Sequence, residues 1–265
     1  MKILIGADPE LFVSKAGKFV SGHGMVPGTK DKPFRVPSGA VQVDGMALEF
    51  NIDPAADEEG FITNINTVIR HLAEMIPGYD LNAVPVAHFG KEYIDSQPLE
   101  ARELGCTPDF NAWEDGAENI KPDAELPYRT GAGHVHIGWT KDTSIDSLEH
   151  RNNCIDMVKQ LDFYLGLPSL FYDNDVDRRA MYGKAGCCRF KPYGVEYRVL
   201  SNKWLSDKKL TSWVYRATMA GANALMEGNF LPDTYGDIQA IINKSDKTSA
   251  MEIIRAAGLE VPHAA

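Results

Sequence analysis

The chain has 265 residues, 44% of them hydrophobic and 24% charged, with a formal net charge of -10 at pH 7 and a pI near 5.2. That apolar content supplies a substantial core and excludes a disordered chain, while the acidic balance excludes a general nucleic-acid binder, whose phosphate-tracking surface needs an excess of Lys and Arg. No apolar run approaches the roughly 20 residues that span a bilayer, and Asp8 and Glu10 bring charge into the N-terminal segment too early for a signal peptide.

The expectation is therefore a soluble cytoplasmic protein. Short apolar stretches at 3–5, 11–13, 41–43 and 48–52, punctuated by Gly and Pro, predict an antiparallel sheet. Asp8-Pro9-Glu10 sets two carboxylates two positions apart, pointing the same way from a strand, an arrangement that repels itself unless a cation sits between them. Magnesium fits, because hard divalent ions take oxygen ligands and keep positions open for phosphates; an exposed acidic turn is the plainer alternative. Further along, Asp44, Glu49 and Asn51 make an oxygen-rich wall, with Glu49 facing opposite to Leu48 and Phe50. Either that wall is the wet face of a sheet or it holds metal.

Phe61, Ile62, Ile65, Val68, Ile69, Leu72, Met75 and Ile76 fall on one helical stripe that Pro77-Gly78 ends. Residues 90–130 are polar and carry Pro98, Pro108, Pro122 and Pro127, which predicts long ordered loops. Residues 133–139 read as a strand on which His134 and His136 share one face while Val135 and Ile137 face a core. A pair of that kind binds metal, donates to phosphate, or is structural. A second helix starts at Asp146 or Ser147, turns Leu148, Ile155, Val158, Leu161 and Leu165 inward, and stops at Gly166 before Pro168.

Between positions 178 and 203 stand seven Lys or Arg, among them Arg178, Arg179, Lys184, Arg189, Lys191 and Arg198, against one acid, Glu196. So focused a charge in an acidic chain calls for an anionic partner, and Arg forks suit phosphate oxygens. Residues 194–200 are strand-like, a third helix spans about 210–226, and two amphipathic pieces at 238–242 and 251–257 form a packed appendage or a lid. The four cysteines, Cys106, Cys154, Cys187 and Cys188, show no C-x-x-C spacing and are expected as reduced thiols. Strands and helices interleave without the beat of repeated parallel units, so the class is α+β, with residues 1–230 as one catalytic domain and 231–265 as its helical appendage.

The carboxylates, imidazoles and basic residues together equip a chain to hold MgATP and to stabilise a transferred phosphoryl group; there is no P-loop, so another scaffold would bind the nucleotide. The order D-P-E, V-D-G-x-x-L-E-F-N, G-x-G-H-x-H, R-R with a basic loop, and E-x-R resembles the glutamine synthetase and glutamate-cysteine ligase superfamily. GADPELF, GCTPDFNAW, GAGHVHIGW, LGLPSLF, YGKAG and KPYGVEYRVLSNKW resemble its phage-type carboxylate-amine ligases, over roughly residues 3–215. Tyr93, Asp109, Asn111, Trp113 and Arg129 lie in loops near these motifs and either select substrate or pack.

The resemblance implies a curved antiparallel sheet backed by helices around a funnel-shaped site. It also implies an ATP-dependent amide-bond ligase working through an acyl phosphate with two or three Mg2+ ions, Mn2+ being an alternative. By it, Asp8, Glu10, Asp44, Glu49, His134 and Glu196 are metal ligands and His136 approaches a phosphate. Arg178, Arg179, Lys184, Arg189, Lys191 and Arg198 bind the nucleotide, with Glu196, Arg179 and Arg198 catalytic. The implied partners are a small-molecule or peptide carboxylate and an amine, with no membrane and with oligomerisation open. Three competitors stand beside it: a guanidino-type phosphotransferase on the same fold, a metal-dependent hydrolase built on the two histidines and the acids, and a non-catalytic relative.

Overall fold

The computed structural model describes residues 2–102, 109–120 and 126–262, so Cys106, Pro108 and Pro122 lie outside the described residues. The chain opens with strands β1 (Leu4–Ala7), β2 (Glu10–Lys15), β3 (Lys18–Val20), β4 (Phe34–Val36), β5 (Gly39–Asp44) and β6 (Ala47–Ile52). Helix α1 (Glu58–Met75) follows, then β7 (Asp80–Asn82), β8 (Val86–His88), α2 (Lys91–Asp95), α3 (Leu99–Arg102), β9 (Phe110–Asn111), β10 (Ala117–Glu118), β11 (Tyr128–Thr130) and β12 (Val135–Gly138). The remainder comprises α4 (Leu148–Leu161), α5 (Leu167–Ser169), α6 (Val176–Met181), β13 (Cys187–Lys191), β14 (Gly194–Tyr197), α7 (Lys208–Met226), α8 (Ile238–Asn243) and α9 (Lys247–Ala257). The class is mixed α and β with antiparallel sheets.

One sheet has the order β1-β12-β14-β13-β9-β10 and a second the order β3-β2-β6-β5-β4, with β7 also paired to β2. The two meet at Asp8-Pro9, between β1 and β2. There the Asp8 N–H reaches His134 O at 3.4 Å, the Glu10 N–H reaches Ala132 O at 2.9 Å, and Pro9 O accepts from the Phe50 N–H at 3.2 Å. A proline has no N–H to leave unsatisfied, so this crossing point costs the backbone no donor.

Alternation then sorts each strand into two faces. Ile5, Val135, Ile137, Val195 and Tyr197 point to one side and are buried, as Leu48 and Phe50 are in the other sheet. Helix α1 packs on β5 and β6, α4 packs on β13 and β14, and α7 lies against both helices. In α1 the Asp57 carboxylate caps the Gly60 N–H at 2.8 Å, and Phe61, Ile65, Val68 and Leu72 face inward. Phe61 stacks on Trp204 and touches Tyr215, tying α1 to α7.

Three expectations need correction. The helix beginning after the Ser147 cap does not stop at Gly166 but continues as a π-helical turn, Asp162–Gly166, into α5. The Leu167 N–H bonds to Asp162 O, so the widened turn lets the helix run on until Pro168 sits near the start of α5, where a missing N–H is tolerated. The basic stretch after Gly186 is a strand, β13, and residues 90–130 hold several short helices and strands among the described residues. The tail helices dock on α5 and the π-helical turn. Ile238, Ile242, Ala250 and Ile254 are buried in the main core, and Asn243 Oδ1 accepts from the Ala185 N–H at 2.8 Å.

Candidate active site

Strand register assembles the site. Gly6 pairs with His136, His136 with Glu196, and Glu196 with Arg189, giving one row across four strands on the face opposite the helices. Gly6 has no side chain, which leaves the row open at its edge. Period-two alternation sets Asp8, His134 and Arg198 in the neighbouring row and Lys191 beyond Arg189. Across the seam, Glu10 pairs with Glu49 and Glu49 with Gln42. Asp8, Glu10, Asp44, Glu49, His134, Arg189, Lys191, Glu196 and Arg198 line a single cleft of about 410 Å³.

Within it, Glu196 is fully buried and faced by cations. Arg198 binds its Oε1, Lys191 Nζ lies 2.7 Å from Oε2, and Arg189 Nη1 is 3.6 Å from Oε1. Burial works against its charge, but Arg198, His136, His134 and Lys191 outweigh it and hold the carboxyl well below the usual carboxylate range. Asp8 behaves likewise: burial would raise it, yet His136, with Nε2 2.9 Å from Asp8 Oδ1, keeps it low. His136 is raised in return, Asp8 overcoming the burial penalty, and its Nδ1 meets the Tyr193 hydroxyl. His134 goes the other way, pushed down to about 4 by burial and then by Arg198. Its Nδ1 lies 3.4 Å from Asp8, 3.5 Å from Glu196 and 3.2 Å from Arg198 Nη1.

Across the seam the carboxylates repel. Burial and the Asp44 charge push Glu10 up to about 7. Burial and the charges of Asp8, Asp44 and Glu10 hold Glu49 well above the ordinary range. Gln42 donates to Glu49 at 2.9 Å, the Ala132 N–H to Glu10 at 3.0 Å, and Lys30 stands 3.5 Å from Asp44. Crowded acids of this kind are relieved by a divalent cation. The side chains on the other side of the seam point to the same guest. Asp8 Oδ1, His136 Nε2 and Glu196 Oε2 are buried and held by ion pairs, His136 to Asp8 and Lys191 to Glu196, and one ligand atom from each of these residues lies within 4.8 Å of the others. The geometry thus groups His136 with two acids, where the resemblance placed His134.

Three of the expected basic residues are placed differently. Arg179 does not line the cleft; it is buried beneath it, with Nη2 3.4 Å from Asp173 O. Lys184 is exposed in the turn between α6 and β13, outside the cleft. Arg178 touches the cleft, but its Nε, Nη1 and Nη2 donate to the carbonyls of Gly131, Val199 and Arg198 at 2.9, 2.8 and 3.3 Å. Its guanidinium is committed to the backbone because α6 drives it between the two chain stretches that flank the site strands.

Asp109, left between substrate selection and packing by the sequence, joins the basic wall, its Oδ2 lying 3.6 Å from Arg198 Nε. A sharper signal was present: Asp109 and Asn111 alternate in the motif that forms β9, which places both on the site face. Lys30 and Tyr193 gave no such signal, since each enters through a contact with an acid or imidazole distant in sequence, whereas Gln42 alternates with Asp44 on β5 and meets Glu49 across the β5–β6 hairpin.

A family model described as phage phiEco32-like COOH.NH2 ligase-type 2 matches residues 114–255. No curated protein matches the sequence. Among solved structures, the crystal structure of a bifunctional glutathione synthetase from Pasteurella multocida is similar over 97% of this chain and 49% of that chain, at 11% identity and a TM-score of 0.40. The chain thus spans about half the length of that protein, and the likeness is too remote to bear on the site. Among the described residues no helix is long and apolar enough to cross a membrane.

Proposed function

The chain belongs to the phage phiEco32-like COOH.NH2 ligase-type 2 family, a family of carbon-nitrogen ligases, and on that premise we propose that it joins a carboxylate to an amine using ATP and Mg2+ through an acyl phosphate. The observation that carries the mechanism is the facing of two unlike walls in one cleft. Glu10, Asp44 and Glu49 come together on one side of the seam, across from Arg189, Lys191 and Arg198, which gather around Glu196 on the other. The motif order supports placing the fold with glutamine synthetase and glutamate-cysteine ligase, with residues 1–230 as the catalytic unit.

The donors fit a hard cation. Asp8, His136 and Glu196 would form one set of ligands and Glu10, Asp44 and Glu49 another, with His134 beside the first. Mg2+ held there supplies positive charge beside the transferred phosphoryl group. The protein's own part is positioning. Arg189, Lys191 and Arg198 grip phosphate oxygens, and Arg198, braced between Glu196 and Asp109, faces the group in transfer. A substrate carboxylate oxygen attacks the terminal phosphorus of ATP, the bond to ADP breaks, and the acyl phosphate forms. An amine nitrogen then attacks the acyl carbon and loses a proton as phosphate leaves.

The expected result is ADP release that requires both a carboxylate and an amine, read by a coupled ADP assay over amino acids and polyamines with Mg2+, followed by mass spectrometry of the condensed product. ADP formation with a single guanidine substrate and no second one would instead identify a phosphotransferase. Hydrolysis without ATP would identify a hydrolase.

A further inference from the structure

Asp162 is fully buried on the helix side of β14, away from the cleft, inside the π-helical turn. It accepts from Trp113 Nε1 at 2.6 Å and from the Tyr197 hydroxyl at 2.8 Å, and the Gly186 N–H donates to it as well. These donors come from three separate stretches of chain that each carry part of the site. Tyr197 stands between Glu196 and Arg198. Gly186 leads into β13 with Arg189 and Lys191, and Trp113 follows β9, which Asp109 precedes.

The contacts close into a knot. Gly186 O accepts from the Ala112 N–H at 2.9 Å, and Asn111 Oδ1 accepts from the Trp113 N–H at 3.0 Å. Gly186 has φ +81°, and a Cβ there would lie 2.3 Å from Asn111 Oδ1 and 2.7 Å from Trp113 Cδ1. Three donors converging on one side chain need a group with several acceptor sites and no donor, which a carboxylate provides and an amide does not. A buried acid is costly to keep ionised, and burial pushes Asp162 up to about 7 against the opposing pull of its three donors and of the Arg179 charge. A π-helical turn is in addition a rare feature that concentrates at functional sites.

We propose that Asp162 is a positioning residue for the ligase chemistry, fastening β14, the turn into β13 and the Asn111–Trp113 corner together so that Arg189, Lys191, Glu196 and Arg198 keep the spacing phosphoryl transfer needs. The proposal rests on the ligase reading above, and misplacement of such groups by about 1 Å can lower rates about 100-fold.

The test is Asp162→Asn, followed by hydrogen exchange and by steady-state kinetics. Exchange is expected to rise about tenfold in residues 183–191 and 194–198 and to stay unchanged in α1, as one lost charge-assisted bond implies. At saturating substrates kcat falls about 30-fold while KM for ATP changes less than about threefold. Adding Trp113→Phe removes the N–H that would face the new amide and restores part of kcat. Unaltered exchange in those two segments overturns the proposal, and so does raised exchange with kcat held within about twofold of the parent. Should Asp162→Asn not fold, Tyr197→Phe and Trp113→Phe each delete one bond to the carboxylate, and their effects on kcat combine less than additively if both act through it; additive effects overturn it. A parent enzyme without ligase turnover sinks the ligase reading, while the exchange result still decides whether Asp162 fastens the wall.

Discussion

Glu196→Gln is expected to lower ligase turnover about 1000-fold, the scale seen when one preorganised electrostatic group is removed from a transition state. The glutamate stands at the centre of the site in three respects. It shares a strand row with His136 and Arg189, it orients Arg198 and Lys191, and it contributes an acceptor to the Asp8–His136 set. Glutamine preserves the shape and removes the charge, leaving a wall of cations in which Arg198 still has Asp109 as a partner. The variant should therefore fold, with far-ultraviolet circular dichroism matching the parent. Turnover within about tenfold of the parent would place the chemistry elsewhere in the cleft.

The second large effect is on stability. Arg178 is 2% exposed, burial pushing its guanidinium down to about 10, and it spends three donors on the carbonyls of Gly131, Val199 and Arg198. Arg178→Ala strands the carbonyls of Val199 and Arg198, Gly131 O keeping the Asn202 N–H at 3.2 Å, and opens a void against Gly183, whose Cβ position lies 2.5 Å from Arg178 Nη1. Each stranded acceptor costs about 1–3 kcal/mol, so a total of roughly 3–5 kcal/mol is expected after partial relaxation, a large share of a typical stability of about 5–15 kcal/mol. Urea unfolding measures it. A loss below about 1 kcal/mol would show that the three bonds are not what holds α6 to the sheet.

Much of the site was readable because alternation is a strict rule. The same-side placement of His134 with His136 and of Glu196 with Arg198 follows from period two, and the α1 stripe from period 3.6, whereas Asp8 and Glu10 share the cleft because the two sheets meet between β1 and β2. The charge cluster from 178 to 203 marked the basic wall but could not separate its members. Arg189 and Lys191 on β13, and Arg198 directly after β14, point into the cleft, whereas Arg178 and Arg179 sit on a short helix that buries their guanidinium groups against the backbone. Residues 187–191 read as a loop because Gly183 and Gly186 precede them, although Arg189 and Lys191 alternate with Cys188 and Phe190. Asp162 carried a signal that went unused: it falls four positions after Val158 and seven after Ile155, on the apolar stripe of α4, where an acid is unexpected. Pairings across long separations, such as Asp109 with Arg198 or Tyr193 with His136, have no local pattern at all. They exist because register and turns bring the strands together.

The most direct test follows oxygen. Once the assay identifies a carboxylate substrate, it is prepared with 18O in the carboxylate and the inorganic phosphate released is examined by mass spectrometry. Attack of the carboxylate on the terminal phosphorus predicts one 18O atom in each phosphate formed. Unlabelled phosphate accompanying a genuine amide product would contradict the acyl phosphate, and with it the division of labour between the two facing walls.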